Sequence, residues 1–293
     1  MAVTRLAFQL AQGTNIIDLA KSLSIHHRTL VRQKQIFTVY GGMFVDNVET
    51  GTSQDGKFTI STAPNSWYTR AAVNRTFRAW KQMRSKTLDN AGQDGSKAGT
   101  GKFSDFKVLL NGDATSKLRT AIATGTAGSR PNLAGDEWSY SQLESEAGAT
   151  TYIQIVGDHN PSSNRYSALK GWVSTRALPY TTDEPEMPDL NSDGTIDIQQ
   201  DMIATMYDTS DGQTDRLNLV YTENDDAPFH QTRPYADDSS QNLQLQCLGY
   251  ATETNPTQMV PGFEALCGLL HVEVASDSAP ILFIDVESRG RKF

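Results

Sequence analysis

Only one long segment of this 293-residue sequence has apolar residues spaced as in an α-helix, so the rest of the chain has to fold with little other helix. Within residues 64–88, apolar side chains recur every three or four positions, at Val73, Phe77, Trp80 and Met83. This spacing places them on one side of a helix. Asn65 and Ser66 precede the apolar series and offer side-chain oxygens to the unpaired amides of the first turn. The segment therefore predicts an amphipathic helix that begins near Ser66.

The other side of the predicted helix is basic. Its cations are Arg70, Arg75, Arg78, Lys81 and Arg84. No Asp or Glu lies between Asn65 and Lys86. A helix of this kind buries its apolar side and presents a dense positive field on the other. The pattern fits a nucleic-acid-binding surface, and it also fits an ordinary solvated surface helix.

The rest of the chain favours β-structure. Short runs rich in β-branched and aromatic residues predict about nine strands, in residues 35–48, 57–62, 103–110, 150–156, 170–174, 217–222, 243–250, 269–274 and 281–286. Loops of very uneven length separate these runs, and strands do not alternate regularly with helices. We therefore expect an all-β protein, an antiparallel jelly-roll sandwich with long loops and one substantial helix.

The predicted domain organisation is an N-terminal arm, residues 1–34, followed by a jelly-roll domain with insertions, residues 35–293. Within the arm we expect a short helix in residues 16–23, capped by Thr14 or Asn15. A basic run follows it and contains Arg28, Arg32 and Lys34. The apolar residues of the arm suggest that it docks on the body of its own chain or on a neighbouring subunit.

The net charge of −8 conceals an asymmetry between the two parts of the chain. Residues 1–120 contain 17 Lys and Arg against 8 Asp and Glu, a net charge of +9. Residues 121–293 contain 9 against 26, a net charge of −17. Such a division predicts one basic and one acidic surface. A free-standing nucleic-acid-binding domain is more often basic throughout.

The two cysteines, Cys247 and Cys267, both lie in apolar sequence surroundings. Residues 1–13 lack the features of a secretory signal, so we expect the chain to act in the cytosol or to be delivered by assembly. In that setting two buried thiols are favoured over a disulfide between them.

One segment has the start of a calcium-binding loop. Oxygen donors alternate along it at Asp189, Asn191, Asp193 and Asp197. Gly194 stands at the sixth position, as in such loops, but the twelfth position holds Gln200 in place of a bidentate carboxylate. We favour a turn rich in Asp and Asn that leads into a short helix, and we commit to no metal or other cofactor, with calcium as the alternative.

No local pattern indicates catalysis. The five histidines occur outside any known catalytic motif, and carboxylates are too frequent in the second half for their proximity to be informative. We therefore expect no enzymatic activity. A hydrolase whose site is assembled from distant loops is the alternative, because such a site leaves no local trace.

Several segments together resemble a known protein family. They are LAKSLSIHHRTLVRQKQIFTVYGG, APNSWYTRAAVNRTFRAWKQM, FSDFKVLL, GFEALCGLLHVEV and PILFIDVESRGRK. The chain is in these parts similar to capsid proteins of small single-stranded DNA viruses known mostly from environmental sequences. In that family a Pro-Asn-Ser-Trp segment opens a helix that ends in Trp-x-x-Met, here Pro64 to Trp67 and Trp80 to Met83. The resemblance covers about the first 110 and the last 40 residues.

The resemblance implies a jelly-roll coat subunit that assembles with many copies of itself around a DNA genome. Its location would then be the virion, and its partners other copies of the chain, packaged single-stranded DNA, and an internal membrane or minor capsid proteins. The chain lacks the arginine-rich arm of many such coats and is acidic overall. Both departures fit a shell with a membrane beneath it, where a double jelly roll is usual. About nine strands favour a single jelly roll, because a double one needs about sixteen.

The sequence therefore predicts a viral major capsid protein that forms an icosahedral shell. Its inner, cargo-facing surface would carry the basic residues Arg28, Arg32, Lys34, Arg70, Arg75, Arg78, Lys81 and Arg84. The alternatives are another phage structural protein, such as a spike, tail or fibre component, and a calcium-binding, carbohydrate-active β-sandwich.

Overall fold

The computed structural model describes residues 3–46, 56–90, 92, 105–112, 117–123, 132–135, 137–144, 150–157, 165–175, 243–276, 279–287 and 291–293. Nearly all of these residues belong to one compact unit, made of Met1–Trp172 and Tyr235–Phe293. A second unit, Val173–Pro234, contributes only residues 173–175 to the described part of the chain.

Strands dominate the described residues, as the sequence predicts. The strands are β1 Val3–Gln9, β2 Gly13–Asp18, β3 Ile36–Val45, β4 Gly56–Thr62, β5 Leu118–Arg119, β6 Gln142–Glu144, β7 Thr150–Gln154, β8 Arg165–Ser167, β9 Gln244–Ala251, β10 Thr257–Val260, β11 Phe263–Leu266, β12 Leu269–Val274 and β13 Ile281–Glu287. The helices are α1 Leu19–His27, α2 Trp67–Asn90 and α3 Ala168–Thr175. The described ranges thus hold thirteen strands, more than the nine expected for the whole chain.

The strands form two five-stranded sheets and one three-stranded sheet. In the first sheet the order is β1-β13-β3-β10, and β11 also pairs with β3, so that the ten-residue β3 has two partners along one edge. All its pairings are antiparallel. In the second sheet the order is β5-β2-β12-β4-β9, and only the short β2–β5 pair is parallel. The third sheet has the order β6-β7-β8.

The hydrophobic core draws its side chains from both five-stranded sheets. Phe44 of β3 and Phe58 of β4 stack with ring centroids 4.0 Å apart. Along β1 and β4 buried and less buried residues alternate, which directs every second side chain into this core. Within the described residues the sheets do not close on themselves. The observed class is therefore a mainly β protein with antiparallel sheets and one long helix.

The first residues of the chain contribute a strand to each large sheet. β1 pairs with β13 over seven residues, and β2 pairs with β12 over six. The helix predicted in residues 16–23 is wrong in its start, because Ile16 and Ile17 are buried strand residues. α1 begins at Leu19, and its N-cap is Asp18, whose carboxylate accepts a hydrogen bond from the Lys21 amide. The predicted caps, Thr14 and Asn15, lie within β2.

Two of the predicted strands are wrong. Residues 105–110 contain no strand and only one isolated bridge, between Leu109 and Gln154. Residues 170–174 belong to α3. The first three residues of α3 are good helix formers, whereas Gly171 and the residues after it are not, and Ala168 and Leu169 are both buried. Helix formers and packing at its start therefore extend the helix over the residues from Gly171 onward, whose own propensity favours a strand.

The predicted amphipathic helix is confirmed as α2. Ser66 caps it, since its hydroxyl oxygen accepts a hydrogen bond from the Thr69 amide at 3.1 Å. The buried side chains all lie in its first half, at Tyr68, Thr69, Ala72, Val73 and Thr76. From Phe77 to Asn90 every residue is at least partly exposed. A helix of 24 residues is about 36 Å long, so half of α2 extends along or beyond the packed surface.

Both cysteines are free and buried, as predicted. Burial raises the pKa of the Cys247 thiol. Burial, and then the nearby Asp18 carboxylate, raise the pKa of the Cys267 thiol. Both side chains therefore stay protonated at neutral pH and pack as small apolar groups.

Candidate nucleic-acid interface

The basic residues of α2 differ in exposure. Arg75, Arg78 and Lys81 are exposed, whereas Arg70 and Arg84 are half-buried. The first acid in the helix is Asp89, in its last turn. Arg75, Arg78 and Lys81 thus form a positive surface that extends over about two turns of α2.

The structure brings Lys34 from the predicted arm against α2. Its ammonium nitrogen lies 4.4 Å from the centroid of the Phe77 ring. Burial lowers the pKa of Lys34, and repulsion from the Arg78 guanidinium lowers it further. Lys34 and Arg78 thus add to the same positive region at α2. An anion bound between them would relieve that repulsion.

The other two basic residues of the arm lie nearby and have different surroundings. Arg32 forms an ion pair with Asp105, with 3.1 Å between Nε and Oδ2. Arg28 follows α1 directly and adopts the left-handed backbone conformation, with φ of 53°, that ends many helices. Its side chain is exposed.

Three aromatic rings hold α2 in place beside this basic group. Phe106 meets Phe77 edge-on at 5.4 Å and Trp80 at 5.6 Å. Both helix residues are half-buried, and neither belongs to the core shared by the sheets. Met83, the last apolar residue of the predicted series, is 44% exposed. The apolar side of α2 is therefore anchored on Phe106 and becomes exposed toward its end.

A first cavity lies along the basic side of α2. Its volume is about 600 Å³, and its wall includes Arg75, Arg78 and Trp172. The Arg75 guanidinium lies 5.4 Å from the centroid of the Trp172 ring. A cation next to an indole gives both a charged and a stacking contact to any ligand that enters.

A second cavity, of about 680 Å³, opens between the end of α1 and the middle of α2. Its wall contains three cations and three aromatic side chains, Lys21, Arg28, Lys107, Trp80, Trp138 and Tyr140. We refer to it as the Trp80 cavity. Of its charged and aromatic residues, only Arg28 and Trp80 were singled out in the sequence. Trp138 and Tyr140 lie in a polar stretch without periodicity, and only their two-residue spacing gives a signal.

A buried carboxylate supports the wall of the Trp80 cavity. Asp18 is fully buried, and its Oδ2 accepts hydrogen bonds from Gln33, from the Trp138 indole N–H and from the Tyr140 hydroxyl. Burial raises its pKa to about 6, although the Lys21 amide and the donors on Tyr140 and Trp138 act in the opposite direction. Asp18 therefore fixes the orientation of two aromatic side chains of the cavity.

Lys107 forms the inner part of the same wall. Its side chain is buried, and its ammonium nitrogen lies 4.8 Å from the centroid of the Trp138 ring. Burial lowers the pKa of Lys107, while Asp105, Asp18 and Glu137 raise it. The cation and the indole hold each other in position.

The calcium-loop residues Asp189, Asn191, Asp193 and Asp197 lie outside the described residues. Among the residues that are described, no three His, Cys, Asp or Glu side chains are grouped so that they could hold a metal ion. No helix in the same part of the chain is long and apolar enough to cross a membrane.

No protein-family model, curated protein or solved structure matches this chain. The functional argument therefore depends on the surface itself. It combines exposed guanidinium and ammonium groups of α2 with two cavities, each of which is lined by at least one residue of α2 and by a tryptophan. Charges that follow a backbone and rings that stack bases are the two elements of single-strand binding.

Proposed function

We propose that this chain is the major capsid protein of a DNA virus and that many copies assemble into an icosahedral shell around the genome. The resemblance of its segments to capsid proteins of small single-stranded DNA viruses supports this proposal. A mainly β body whose two antiparallel sheets share one core suits a jelly-roll coat, and we favour a single jelly roll over a double one.

The basic side of α2 carries the proposal. It presents Arg75, Arg78 and Lys81 to solvent with no acid before the last turn. In the assembled shell this surface faces the DNA, together with Arg28, Arg32, Lys34, Arg70 and Arg84. Inward cations lower the repulsion among packaged phosphates. The acidic second part of the chain faces outward and keeps particles apart in solution.

The role is structural, and no catalytic step or cofactor is part of it. Assembly is driven by burial of apolar surface between copies. Exposed apolar side chains are present for this purpose on the sheet containing β9, at Leu245, Leu248 and Tyr250. An edge strand such as β9 also offers backbone groups for pairing.

The first test is whether the purified protein forms closed shells. Sedimentation and negative-stain microscopy show particle size and shape, and nuclease protection shows whether DNA is enclosed. Fibres or isolated spikes would favour another virion component. A persistent monomer that binds glycans and melts earlier in a chelator would favour a carbohydrate-active sandwich.

The second test changes the basic surface. The triple variant Arg75→Gln, Arg78→Gln, Lys81→Gln is expected to fold and form shells with less DNA. Its affinity for single-stranded DNA should depend less on salt, with the log–log slope reduced by about 2, because each lost phosphate contact contributes about 0.7.

A matched control removes three cations elsewhere, at Arg5, Lys57 and Lys117. This control is expected to package DNA as the unaltered protein does. Equal DNA content in the α2 triple variant and the unaltered protein would show that the α2 cations do not bind the genome.

A further inference from the structure

We propose that the Trp80 cavity takes one unstacked nucleotide of the single-stranded DNA, with its base against Trp80 and its phosphate near Arg28 and Lys21. This inference depends on the proposed function for the presence of DNA at this surface. It adds a defined base-binding site to what is otherwise contact with phosphates alone.

The size and opening of the cavity suit such a group. Its volume of about 680 Å³ lies within the range of pockets that hold small organic ligands. Arg28, Thr29, Glu137 and Ser139 at its rim are exposed, whereas Lys107 within it is buried. A strand that crosses the rim can therefore turn one base inward while its backbone stays in solvent.

The rings of the cavity are held in place before any ligand arrives. Trp138 and Tyr140 both donate to Asp18, each at 3.2 Å. Trp80 is packed against Phe106. Rings with fixed orientations lose little conformational entropy when a base stacks on them, and this increases affinity.

The charges of the cavity fit one phosphodiester group. Three cations line it, Lys21, Arg28 and Lys107, against the two acids Asp105 and Glu137. Asp105 is paired with a fourth cation, Arg32, and the buried Asp18 lies behind the wall. One positive charge is left in excess, which equals the single negative charge of one nucleotide in a DNA strand.

The same composition disfavours a peptide segment of a neighbouring subunit as the occupant. Among the described residues of the wall, the aliphatic side chains are Ile25, Leu30 and Ala134. An amphipathic helix that docks in a groove inserts apolar anchors into a hydrophobic surface, which three aliphatic side chains do not provide. A wall of charged and aromatic groups is typical of sites for single-stranded nucleic acid.

Two further cations lie beside the aromatic residues on the apolar side of α2. The Arg84 guanidinium, one turn beyond Trp80, is 5.7 Å from the centroid of its ring, and the Lys34 ammonium nitrogen is 4.4 Å from the centroid of the Phe77 ring. A strand that enters the cavity therefore meets cations on the Trp80 side of α2 as well as at the rim.

The test measures binding of two labelled probes to the full-length protein. One is a 20-nucleotide oligo(dT), and the other is an abasic strand with the same number of phosphates. Trp80→Leu is expected to weaken oligo(dT) binding about 5- to 150-fold, the range for loss of one base–aromatic stack. Its salt dependence and its affinity for the abasic strand should stay unchanged, because no cation is removed.

Two further variants separate stacking from other effects. Trp67→Leu changes a tryptophan of the same helix that is 64% exposed and lies outside the cavity, and it should leave binding unchanged. Arg28→Gln removes one exposed cation without disturbing the aromatic packing. It should weaken binding of both probes and reduce the salt slope by about 0.7. Circular dichroism melting confirms that each variant is folded.

Three results would overturn the inference while the proposed function stands. The first is unchanged oligo(dT) binding by Trp80→Leu. The second is equal weakening of both probes by that variant, which indicates a general structural effect. The third is a Trp80→Leu variant that binds DNA normally and fails to assemble into shells, because this result would place a neighbouring subunit in the cavity. If the unaltered protein neither forms shells nor binds single-stranded DNA, the proposed function itself is wrong, and this inference with it.

Discussion

Replacing Asp18 by Asn tests the most unusual electrostatic feature of the fold. The carboxylate is fully buried, and it accepts hydrogen bonds through both oxygens. In Asp18→Asn the amide oxygen can still accept from the Lys21 amide. The amide nitrogen would then face the donors on Gln33, Trp138 and Tyr140, and it cannot accept from them. This mismatch is expected to cost about 1–3 kcal/mol.

The pH dependence of the stability difference between the two proteins separates the effect of the buried charge from that of the lost hydrogen bonds. The pKa of Asp18 is raised from 3.8 to about 6 by burial, so the folded protein keeps this proton at pH values where the unfolded chain has lost it. The protonated Asp18 therefore adds to the free energy of unfolding below about pH 4, and this contribution is lost as the pH rises through 6. A difference of about two pKa units corresponds to about 3 kcal/mol.

The assay is urea unfolding of the unaltered protein and of Asp18→Asn between pH 4 and pH 7.5. The unaltered protein should gain about 3 kcal/mol relative to the variant as the pH falls across this range. Asp285→Asn is a control that should show almost no pH dependence in this range. A hydrogen bond from Arg5 lowers the pKa of Asp285 below its usual 3.8, so the stability that this carboxylate contributes is lost only as the pH falls below about 4. A pH-independent difference for Asp18→Asn would refute the reasoning.

Three further predictions concern stability and reactivity. Phe58→Ala should cost about 3–5 kcal/mol in urea unfolding, because the ring is fully buried, and Phe58→Leu should cost clearly less. Ser66→Ala should cost about 1 kcal/mol by loss of the α2 cap, whereas Ser66→Asp should retain the cap; unchanged stability of the alanine variant would contradict this. Cys247 and Cys267 should resist an aromatic disulfide reagent in the native protein and react fully in denaturant; rapid native labelling would contradict their burial.

The elements that the sequence predicted correctly have a strong local signal. The helix α2 follows from its apolar spacing and from Ser66, and both are readable within a few turns. β3, β4, β9, β12 and β13 are dense in β-branched and aromatic residues and were found at nearly the expected positions. Burial of the two cysteines also follows from their neighbours in sequence.

The missed elements depend on partners far away in the chain. β1 has alternating burial at Thr4, Leu6 and Phe8, but its composition is too mixed to be recognised without β13 beside it. The second half of α3 has the composition of a strand, but it continues the helix that begins at Ala168. Residues 105–110 have the composition of a strand and contact α2 through Phe106 without forming one.

The candidate site divides in the same way. The eight basic residues were chosen from the sequence because charge and helical spacing are local properties. The Trp80 cavity was not foreseen, because its wall combines three segments that are far apart in the sequence, those of Lys21, of Lys107, and of Trp138 with Tyr140. Asp18 gave no signal at all, since a carboxylate becomes unusual only when folding removes its water and supplies donors. Sequence thus determined the helix, the strand-rich class and the charged surface, whereas long-range packing decided which polar groups were buried together, because burial is a property of the assembled chain.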